Sequence, residues 1–431
     1  MVAKKPQGLS TLYTFLVVVL PIVGIYAIPG LNLPISLGEL FVIFLLPLLL
    51  VDMLLTGKTV AITNPFYLYI AYAGISTLAV SCAFLLLYDG FSVSSVLVRV
   101  IRDIFYLLLI IFFGKDFFDF KKAKKIIKVI CCLLSAFIFV QFFAYQLFGI
   151  YVSGFIPGIR TTLSGGVVSN QLSEHFLKSA MIDGYVRPHG FMAEPAAAAH
   201  FLSVGLILSL FSTDEKKSDI RSALVLSLAM IFTTSINAFA ALVFCWFLWI
   251  MYRGRRGMWI VYILIFVLVA VAFGIPIILM SDFAQDIVGR IIALFDGSGT
   301  QNSAAIRILR GPFFYFEMPF IFKIFGSGFG NFDAFKNAFQ INTVYEQADE
   351  YFNTNSYVAI SSGVIGLFLY IWSIWKNTAG RYWVSKAMAL LLFLYGFSSS
   401  IYSTGIFAIM LLLTFNAPKE KKAYDKYYNF A

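Results

Sequence analysis

The chain has 431 residues, of which 60% are hydrophobic, 18% aromatic and only 13% charged. A soluble globular protein carries about 25% charged residues, so this composition excludes a soluble fold. The formal net charge of +10 does not indicate a nucleic-acid partner, because the basic residues are divided among short segments between apolar runs. Those runs are long enough to cross a hydrocarbon layer of about 30 Å. We therefore predict an all-α, polytopic integral membrane protein with a single membrane domain over residues 1–431.

The apolar runs predict twelve transmembrane helices. In chain order they cover residues 11–29, 36–55, 66–88, 94–113, 126–148, 194–212, 221–235, 237–252, 258–280, 356–375, 383–398 and 402–416. The first run follows the segment MVAKKPQGLS and has the position of a signal peptide. No small-residue cleavage site follows it and a second span begins almost at once, so we interpret it as a transmembrane helix.

The basic residues indicate how the spans are oriented. Lysine and arginine are enriched in the cytoplasmic loops of membrane proteins. When the amino terminus is placed in the cytoplasm, most of the 32 basic residues fall on the cytoplasmic side. Both termini are then cytoplasmic, and the two long loops, 149–193 and 281–355, are extracytoplasmic.

The segment from Arg221 to Met251 is shorter than the roughly 40 residues that two full crossings require. It forms either a tight pair of short helices or a re-entrant hairpin. Non-helical backbone at membrane depth is tolerated only against protein or a water-filled cavity. The tip of this segment, TTSIN at residues 233–237, is therefore expected to lie in a depression on the outer side.

The richest polar segment is YVRPHGFMAEPAAAAHFL, at residues 185–202. Pro195 suits the first position of a helix, so Glu194 is the expected N-cap. The positive end of that helix points outward behind Arg187, an arrangement that binds phosphate-like anions. Two plainer interpretations stay open: Arg187 contacts lipid phosphates, and Glu194 is only a cap. His200 lies within the span and is expected to be a hydrogen-bonded packing residue.

The second long loop supplies further basic residues. Arg307 and Arg310 are three residues apart, which places both on one face of a helix, and Arg290 precedes them. The interspersed apolar residues predict short amphipathic helices that lie on the bundle.

The fourth span carries three charged residues near its outer end: Arg99, Arg102 and Asp103. Charged residues inside a span are costly and mark functional sites. Arg99 and Asp103 also have the spacing at which opposite charges on a helix neutralise each other.

The sequence has no DxD motif, no His/Cys cluster with the spacing of metal ligands and no phosphate-binding GxxxxGK[ST] loop. The four cysteines all lie in apolar runs and suit packing positions. We therefore predict neither a metal nor a cofactor. A diphosphate bound to this protein would be stabilised by arginines instead.

From about Lys124 to Phe415, the chain resembles the superfamily of bacterial O-antigen polymerases and O-antigen ligases. Two motifs carry the resemblance. The first is Arg187-x-x-Gly190 followed by FMAEP, Ala197 and Leu202. The second begins with the run from Arg307 to Pro319, continues with Phe325-Gly326-Ser327-Gly328, and ends with Asn355-Ser356-Tyr357 and GVIGLFLY.

The chain departs from the family pattern at two places. Many ligases carry His-Asn where this chain has Thr354-Asn355, so the candidate catalytic histidine of a ligase is missing and a polymerase is favoured. The family often has Ser-Arg-Gly at the hairpin tip, where this chain has Ser235-Ile236-Asn237. No role of that arginine is carried over.

The resemblance implies a GT-C-like membrane fold in the bacterial inner membrane, with the active site on the extracytoplasmic face. It also implies metal-independent glycosyl transfer between oligosaccharide repeat units on undecaprenyl diphosphate, which serve as donor and acceptor. The implied partners are these substrates, membrane lipids, a chain-length regulator and a flippase.

This chemistry needs positive charge for the leaving diphosphate and a base for the acceptor hydroxyl. The charge is assigned first to Arg187 and Arg307, and then to Arg310, Arg102 and Arg290. Glu194 is assigned as the base or as the group that orients the hydroxyl, with His189 next. Asn355 and Tyr357 are assigned to substrate binding.

Two alternatives stay open beside the polymerase: a ligase of the same superfamily, and a transporter or flippase for lipid-linked oligosaccharides. Transporters tend to have two similar halves and charged residues at mid-membrane. The charged residues here lie in one-sided loops and at the outer ends of spans, and the halves show no repeat. A scaffold that only regulates chain length would not need so many spans.

Overall fold

The computed structural model describes residues 7–28, 35–57, 64–88, 91–156, 159, 161, 181–182, 185–211, 218–253, 303–341 and 352–420. Within these ranges the secondary structure is almost entirely helical. The strands found there are the two-residue segments β1 (Met181–Ile182) and β2 (Tyr185–Val186), which pair antiparallel.

The helices, numbered in chain order, are α1 Gln7–Val23, α2 Leu37–Thr56, α3 Phe66–Leu87, α4 Val93–Leu107, α5 Gly114–Phe117, α6 Phe120–Phe148, α7 Pro195–Leu210, α8 Ile220–Phe232, α9 Ile236–Arg253, α10 Ser303–Glu317, α11 Phe320–Phe325, α12 Phe332–Ala338, α13 Thr354–Asn377, α14 Trp383–Ser398 and α15 Gly405–Asn416. A π-helical segment, Leu108–Phe113, continues α4 into α5. In a π-helix each turn holds more residues than in an α-helix, because the hydrogen bond reaches one residue further.

Five helices, α2, α3, α6, α9 and α13, are long and apolar enough to cross a membrane. Another five, α1, α7, α8, α14 and α15, are apolar but have only 10–17 residues. Every predicted span overlaps a helix except 258–280, which lies outside the described residues. The predicted class, an all-α membrane protein, is therefore confirmed.

Two predicted span boundaries are wrong by about six residues. The first helix ends at Val23 rather than at 29, because Tyr26 and Ala27 leave the helix and form β-bridges with Thr161 and Ser36. The fifth span begins at 120 rather than at 126. Its N-cap, Asp119, accepts hydrogen bonds from the backbone of the two following lysines and so starts the helix inside the basic segment.

The centre of the bundle is formed by α7 and α15. Every residue of α7 except Ala197 is buried, as is every residue of α15 except Asn416. Helices that are apolar on all sides are buried ones. The alanine run of α7 makes its surface narrow, and the Tyr395 hydroxyl of α14 reaches the Ala199 carbonyl at 3.3 Å.

Polar contacts group the helix ends into two sets at opposite ends of the bundle. In one set, Lys128 Nζ lies 2.8 Å from Asp219 Oδ2. In the other, Arg187 Nε donates to Thr234 Oγ1 at 3.3 Å. The distribution of basic residues predicts that both members of each pair lie on the same side. The first part of α6 therefore lies beside the start of α8, and Arg187 lies at the other end of α8.

The short segment from Arg221 to Met251 forms two helices, α8 and α9, joined by a three-residue turn. The thirteen residues of α8 rise only about 20 Å, less than the roughly 30 Å of a hydrocarbon layer. The turn residues Thr233, Thr234 and Ser235 are all buried. The tip is therefore enclosed by protein, as its polar backbone requires.

The long helix α13 is broken at Gly363, whose φ of 68° and ψ of −177° are not helical. The break deprives nearby carbonyls of their helical partners. They accept hydrogen bonds from another segment instead: Ile360 O from the Ser327 amide at 2.9 Å, and Ser361 O from the Gly328 amide at 2.8 Å. The break is thus filled by the segment 326–331, which we name the glycine loop.

The glycine loop lies between α13 and α3. Ser76 of α3 donates to the carbonyl of Phe325, which precedes the loop, at 2.6 Å. The amide of Phe329 donates to the Thr77 hydroxyl at 3.0 Å. A side chain at Gly326 would collide with the backbone of α13. The glycines therefore serve close packing of one backbone against another.

The break in α13 generates a stability prediction. Gly363→Ala adds a Cβ at positive φ that collides with the Ile324 carbonyl, so we expect a loss of about 3 kcal/mol or more. Gly380→Ala is the matched control, because Gly380 has a similar φ of 67° but no atom within 4 Å of the added Cβ; its expected cost is about 1 kcal/mol. Thermal unfolding of the purified protein in detergent measures both. Equal losses in the two variants would contradict the close packing at the break.

Candidate functional site

The loop that joins α14 to α15, residues 399–403, connects three distant parts of the chain through Ser399. The Ser399 hydroxyl contacts His200 Nε2 of α7 and Asn237 Nδ2 of α9, each at 3.0 Å. The Ser399 carbonyl accepts hydrogen bonds from the amide and the hydroxyl of Thr354, at 3.0 and 2.9 Å. The starts of α7, α9 and α13 therefore meet at one residue.

Arg187 lies at this end of the bundle, half-buried, and its Nε atom donates to Thr234 at the tip of the α8–α9 hairpin. Glu194 has the extended conformation of an N-cap and Pro195 is the first residue of α7. The predicted start of this helix is therefore confirmed. The Glu194 side chain makes no capping hydrogen bond to the helix. Its carboxylate is thus not used to start α7.

His189 is buried, and its contacts belong to its own loop. Its Nδ1 atom lies 2.7 Å from the Met192 carbonyl and its Nε2 atom 3.4 Å from the Tyr151 hydroxyl. The ring stacks on Phe155 at 5.2 Å. Burial lowers the pKa of His189 below its usual range, which favours the neutral ring. The Gln141 side chain accepts from the His189 amide at 3.0 Å and fixes the same turn.

Arg310, on α10, is only 1% exposed, and its guanidinium lies 5.4 Å from the centre of the Phe352 ring. Phe352 stands two residues before α13. A Cβ at the neighbouring Gly311 would collide with Ser356, so α10 packs directly on the start of α13. Arg307 is on α10 one turn earlier, but the structure describes only its backbone, and Arg290 lies outside the described residues.

Asn355 and Tyr357 occupy different environments in the first turn of α13. Asn355 is buried, with its Nδ2 atom 3.5 Å from the Phe393 carbonyl and its side chain against Gly396. It therefore packs α13 on α14. The Tyr357 ring lies beside Tyr402 of the 399–403 loop, with 5.7 Å between ring centres.

Arg102 is already engaged in an ion pair. Its Nη2 atom lies 3.1 Å from Glu39 Oε1, and the Tyr106 hydroxyl donates to the same oxygen at 2.9 Å. Glu39 also forms a capping box with Ser36 at the start of α2. Arg102 therefore joins α4 to α2.

Sequence patterns do not single out Ser399, and they mark Arg99 only as a charged residue inside a predicted span. Ser399 carries no signal that distinguishes it from the neighbouring serines of FSSSIYS. Arg99 stands out for its charge, but its surroundings, which include Tyr357 at 4.7 Å, depend on contacts across more than 250 positions of the sequence.

The Ser399 contacts generate a second prediction. Ser399→Ala leaves polar atoms of His200 and Asn237 without their shared partner in a buried environment, so we expect a loss of about 2 kcal/mol. Ser400→Ala is the control, because Ser400 is exposed, and a change within about 0.5 kcal/mol is expected. Thermal unfolding in detergent again provides the measurement. If Ser399→Ala is as stable as Ser400→Ala, the serine does not connect the three helices.

In the part of the chain that the structure describes, no three His, Cys, Asp or Glu residues are grouped as metal ligands would be. The described site is dominated by arginines, hydroxyls and amides, which suit an anionic or polyhydroxylated ligand. No protein-family model matches the chain, and no curated protein matches its sequence.

Proposed function

We propose that this protein is a membrane glycosyltransferase of the O-antigen polymerase type, with twelve spans and a GT-C-like fold. One observation carries the proposal: segments of both motifs of the resemblance contact the same residue. His200, which lies between Ala197 and Leu202 of the first motif, and Thr354, which precedes Asn355 of the second, both bind Ser399. An active site built from the two motifs requires this convergence.

In the proposed reaction, the hydroxyl oxygen of one lipid-linked repeat unit attacks the anomeric carbon of another. The bond from that carbon to the diphosphate oxygen breaks, and undecaprenyl diphosphate leaves with the bonding electrons. Arginines stabilise this leaving group through charge-assisted, bidentate hydrogen bonds. Arg187, Arg307 and Arg310 take this role, and Arg290 supports them from the large loop.

The proton of the attacking hydroxyl passes to Glu194. Its carboxylate stands at the start of α7 on the same short segment as Arg187, without capping the helix. His189 is the weaker candidate, because both ring nitrogens face partners within its own loop. Arg102 also becomes a weaker candidate for the substrate, since Glu39 already holds its charge.

The proposal includes a location and partners. The protein would lie in the bacterial inner membrane with both termini in the cytoplasm and the site on the opposite face. Undecaprenyl-diphosphate-linked oligosaccharides serve as donor and acceptor, a flippase delivers them, and a chain-length regulator acts with the polymerase. No cofactor is assigned.

A transporter for the same lipid-linked sugars is the second candidate, and the break in α13 is the observation that favours it. Broken helices in transporters present free carbonyls to an ion or substrate. Here the carbonyls of Ile360 and Ser361 accept hydrogen bonds from the glycine loop. Because the break is closed by the protein itself, we prefer the enzyme.

The third prediction concerns Arg187. In a host that makes and exports the cognate repeat unit but lacks this gene, the wild-type chain should produce a ladder of lipid-linked glycans on a gel. Arg187→Ala should reduce polymer by about a hundredfold or more and leave single repeats. Arg221→Ala is the matched control, because Arg221 is an exposed arginine at the opposite end of the bundle; its ladder should equal the wild type.

The membrane amounts of the three proteins are matched before the ladders are compared. If single repeats reach the outer face only when the protein is present, the protein is a transporter. If Arg187→Ala and Arg221→Ala give equal ladders, Arg187 is not part of the site.

A further inference from the structure

The guanidinium of Arg99 occupies an unusual position on α4. The shortest distance from this guanidinium to a carboxylate is 3.6 Å, between its Nε atom and Asp103 Oδ1. This distance is longer than a hydrogen bond. Within the described residues the Nε atom has no hydrogen-bond partner. The Asp103 oxygen is instead bound by the Ser403 hydroxyl. Asp103 therefore holds Arg99 by charge but leaves its Nε donor unused.

Aromatic rings fix the orientation of this guanidinium. Its central carbon lies 4.7 Å from the centre of the Tyr357 ring and 5.9 Å from that of Tyr402. Phe329 of the glycine loop stacks on Tyr402 at 5.5 Å. The Tyr402 hydroxyl is in turn 3.0 Å from that of Tyr69 on α3. Arg99 thus stands in a rigid aromatic cage built from α3, α13, the glycine loop and the 399–403 loop.

The cage leaves part of the side chain accessible, since 28% of the Arg99 side chain is exposed. Arg99 is six residues after the start of α4, which is about 9 Å along the helix axis. On the adjoining face of α4, Leu97, Val98 and Ile101 are exposed and suit contact with lipid chains. With the predicted outer end of α4 at the membrane surface, the guanidinium is at the depth where a lipid phosphate meets its hydrocarbon chain.

Arg102 differs from Arg99 because its guanidinium has a carboxylate partner within hydrogen-bond distance. It lies on the same helix one turn further along, but Glu39 binds it at 3.1 Å. An arginine fixed in this way has a structural role, whereas a preorganised guanidinium with an unused Nε donor can bind a phosphate oxygen.

We propose that Arg99, in its cage of Tyr357 and Tyr402, binds the phosphate of a lipid headgroup. The inference rests on the proposed function in one respect: the phosphate is then part of the lipid-linked diphosphate, with its prenyl chain along α4. A phospholipid headgroup offers the same phosphate chemistry, and the experiment separates the two sources.

The experiment measures the binding of farnesyl diphosphate, a short prenyl diphosphate, to the purified full-length protein in detergent at fixed ionic strength. Arg99→Lys keeps the charge beside Asp103 but removes the planar edge, so we expect the Kd to rise about tenfold. Arg221→Lys is the control: Arg221 is an exposed arginine at the opposite end of the bundle, and the Kd should change by less than about twofold. Melting temperatures of both variants establish that they are folded.

A second variant tests the cage rather than the charge. Tyr357→Leu removes the ring under the guanidinium and leaves Arg99 and Asp103 in place, so binding should weaken severalfold. Competition with phosphatidylglycerol identifies the source of the phosphate: displacement at comparable concentrations assigns a phospholipid headgroup, and its failure assigns the prenyl diphosphate. Unchanged binding in Arg99→Lys, or equal losses in Arg99→Lys and Arg221→Lys, would overturn the proposal.

The binding experiment and the glycan-ladder experiment can succeed or fail independently of each other. If no ladder forms but farnesyl diphosphate binding depends on Arg99, the proposed polymerase fails and the phosphate site stands. If the ladder depends on Arg187 while Arg99→Lys binds normally, this inference fails and the polymerase stands.

Discussion

A carbonyl that loses its helical partner inside a lipid layer must find another within the protein, because no water is available there. The break at Gly363 sets this requirement in the middle of α13, and the glycine loop meets it with the amides of Ser327 and Gly328. The loop brings Phe329 against Tyr402 and fixes the spacing between α3 and α13. Through the contact of Phe329 with Tyr402, this repair of the backbone supports the aromatic surroundings of Arg99.

The same requirement explains the polar residues at the nearby end of the bundle. The turn of the α8–α9 hairpin, the start of α13 and the 399–403 loop all expose backbone groups that a helix would otherwise satisfy. Hydroxyl and amide side chains satisfy them: Thr354 binds the Ser399 carbonyl, and its hydroxyl also accepts from the Ile401 amide at 2.9 Å. Polar side chains needed for folding thus coincide with the place where a polar ligand would bind.

Local patterns in the sequence predict the features that depend on neighbours in the chain. The spans follow from runs of apolar residues, and the Glu194–Pro195 start of α7 follows from adjacent residues. The sequence does not reveal that Gly363 breaks α13, because the surrounding GVIGLFLY is an ordinary apolar run. Nor does it reveal that Arg102 pairs with Glu39, since the partner is 63 positions away and also serves in a helix cap. Contacts between distant segments decide which arginine is structural and which keeps an unused Nε donor.

The π-helical segment Leu108–Phe113 bears on how this arrangement tolerates change in chain length. An extra residue in a helical turn rotates the residues before it by about 100° relative to the residues after it. The inner half of the helix buries Leu109, Ile110 and Phe113, while the outer half turns Asp103 towards Ser403. A one-residue deletion within 108–113 would restore a regular helix but shift the angular phase between the two halves. The π-helical turn therefore sets the rotation of the outer half relative to the inner half. One helix can then pack its apolar residues in the interior and also direct its outer charged residues towards their contacts.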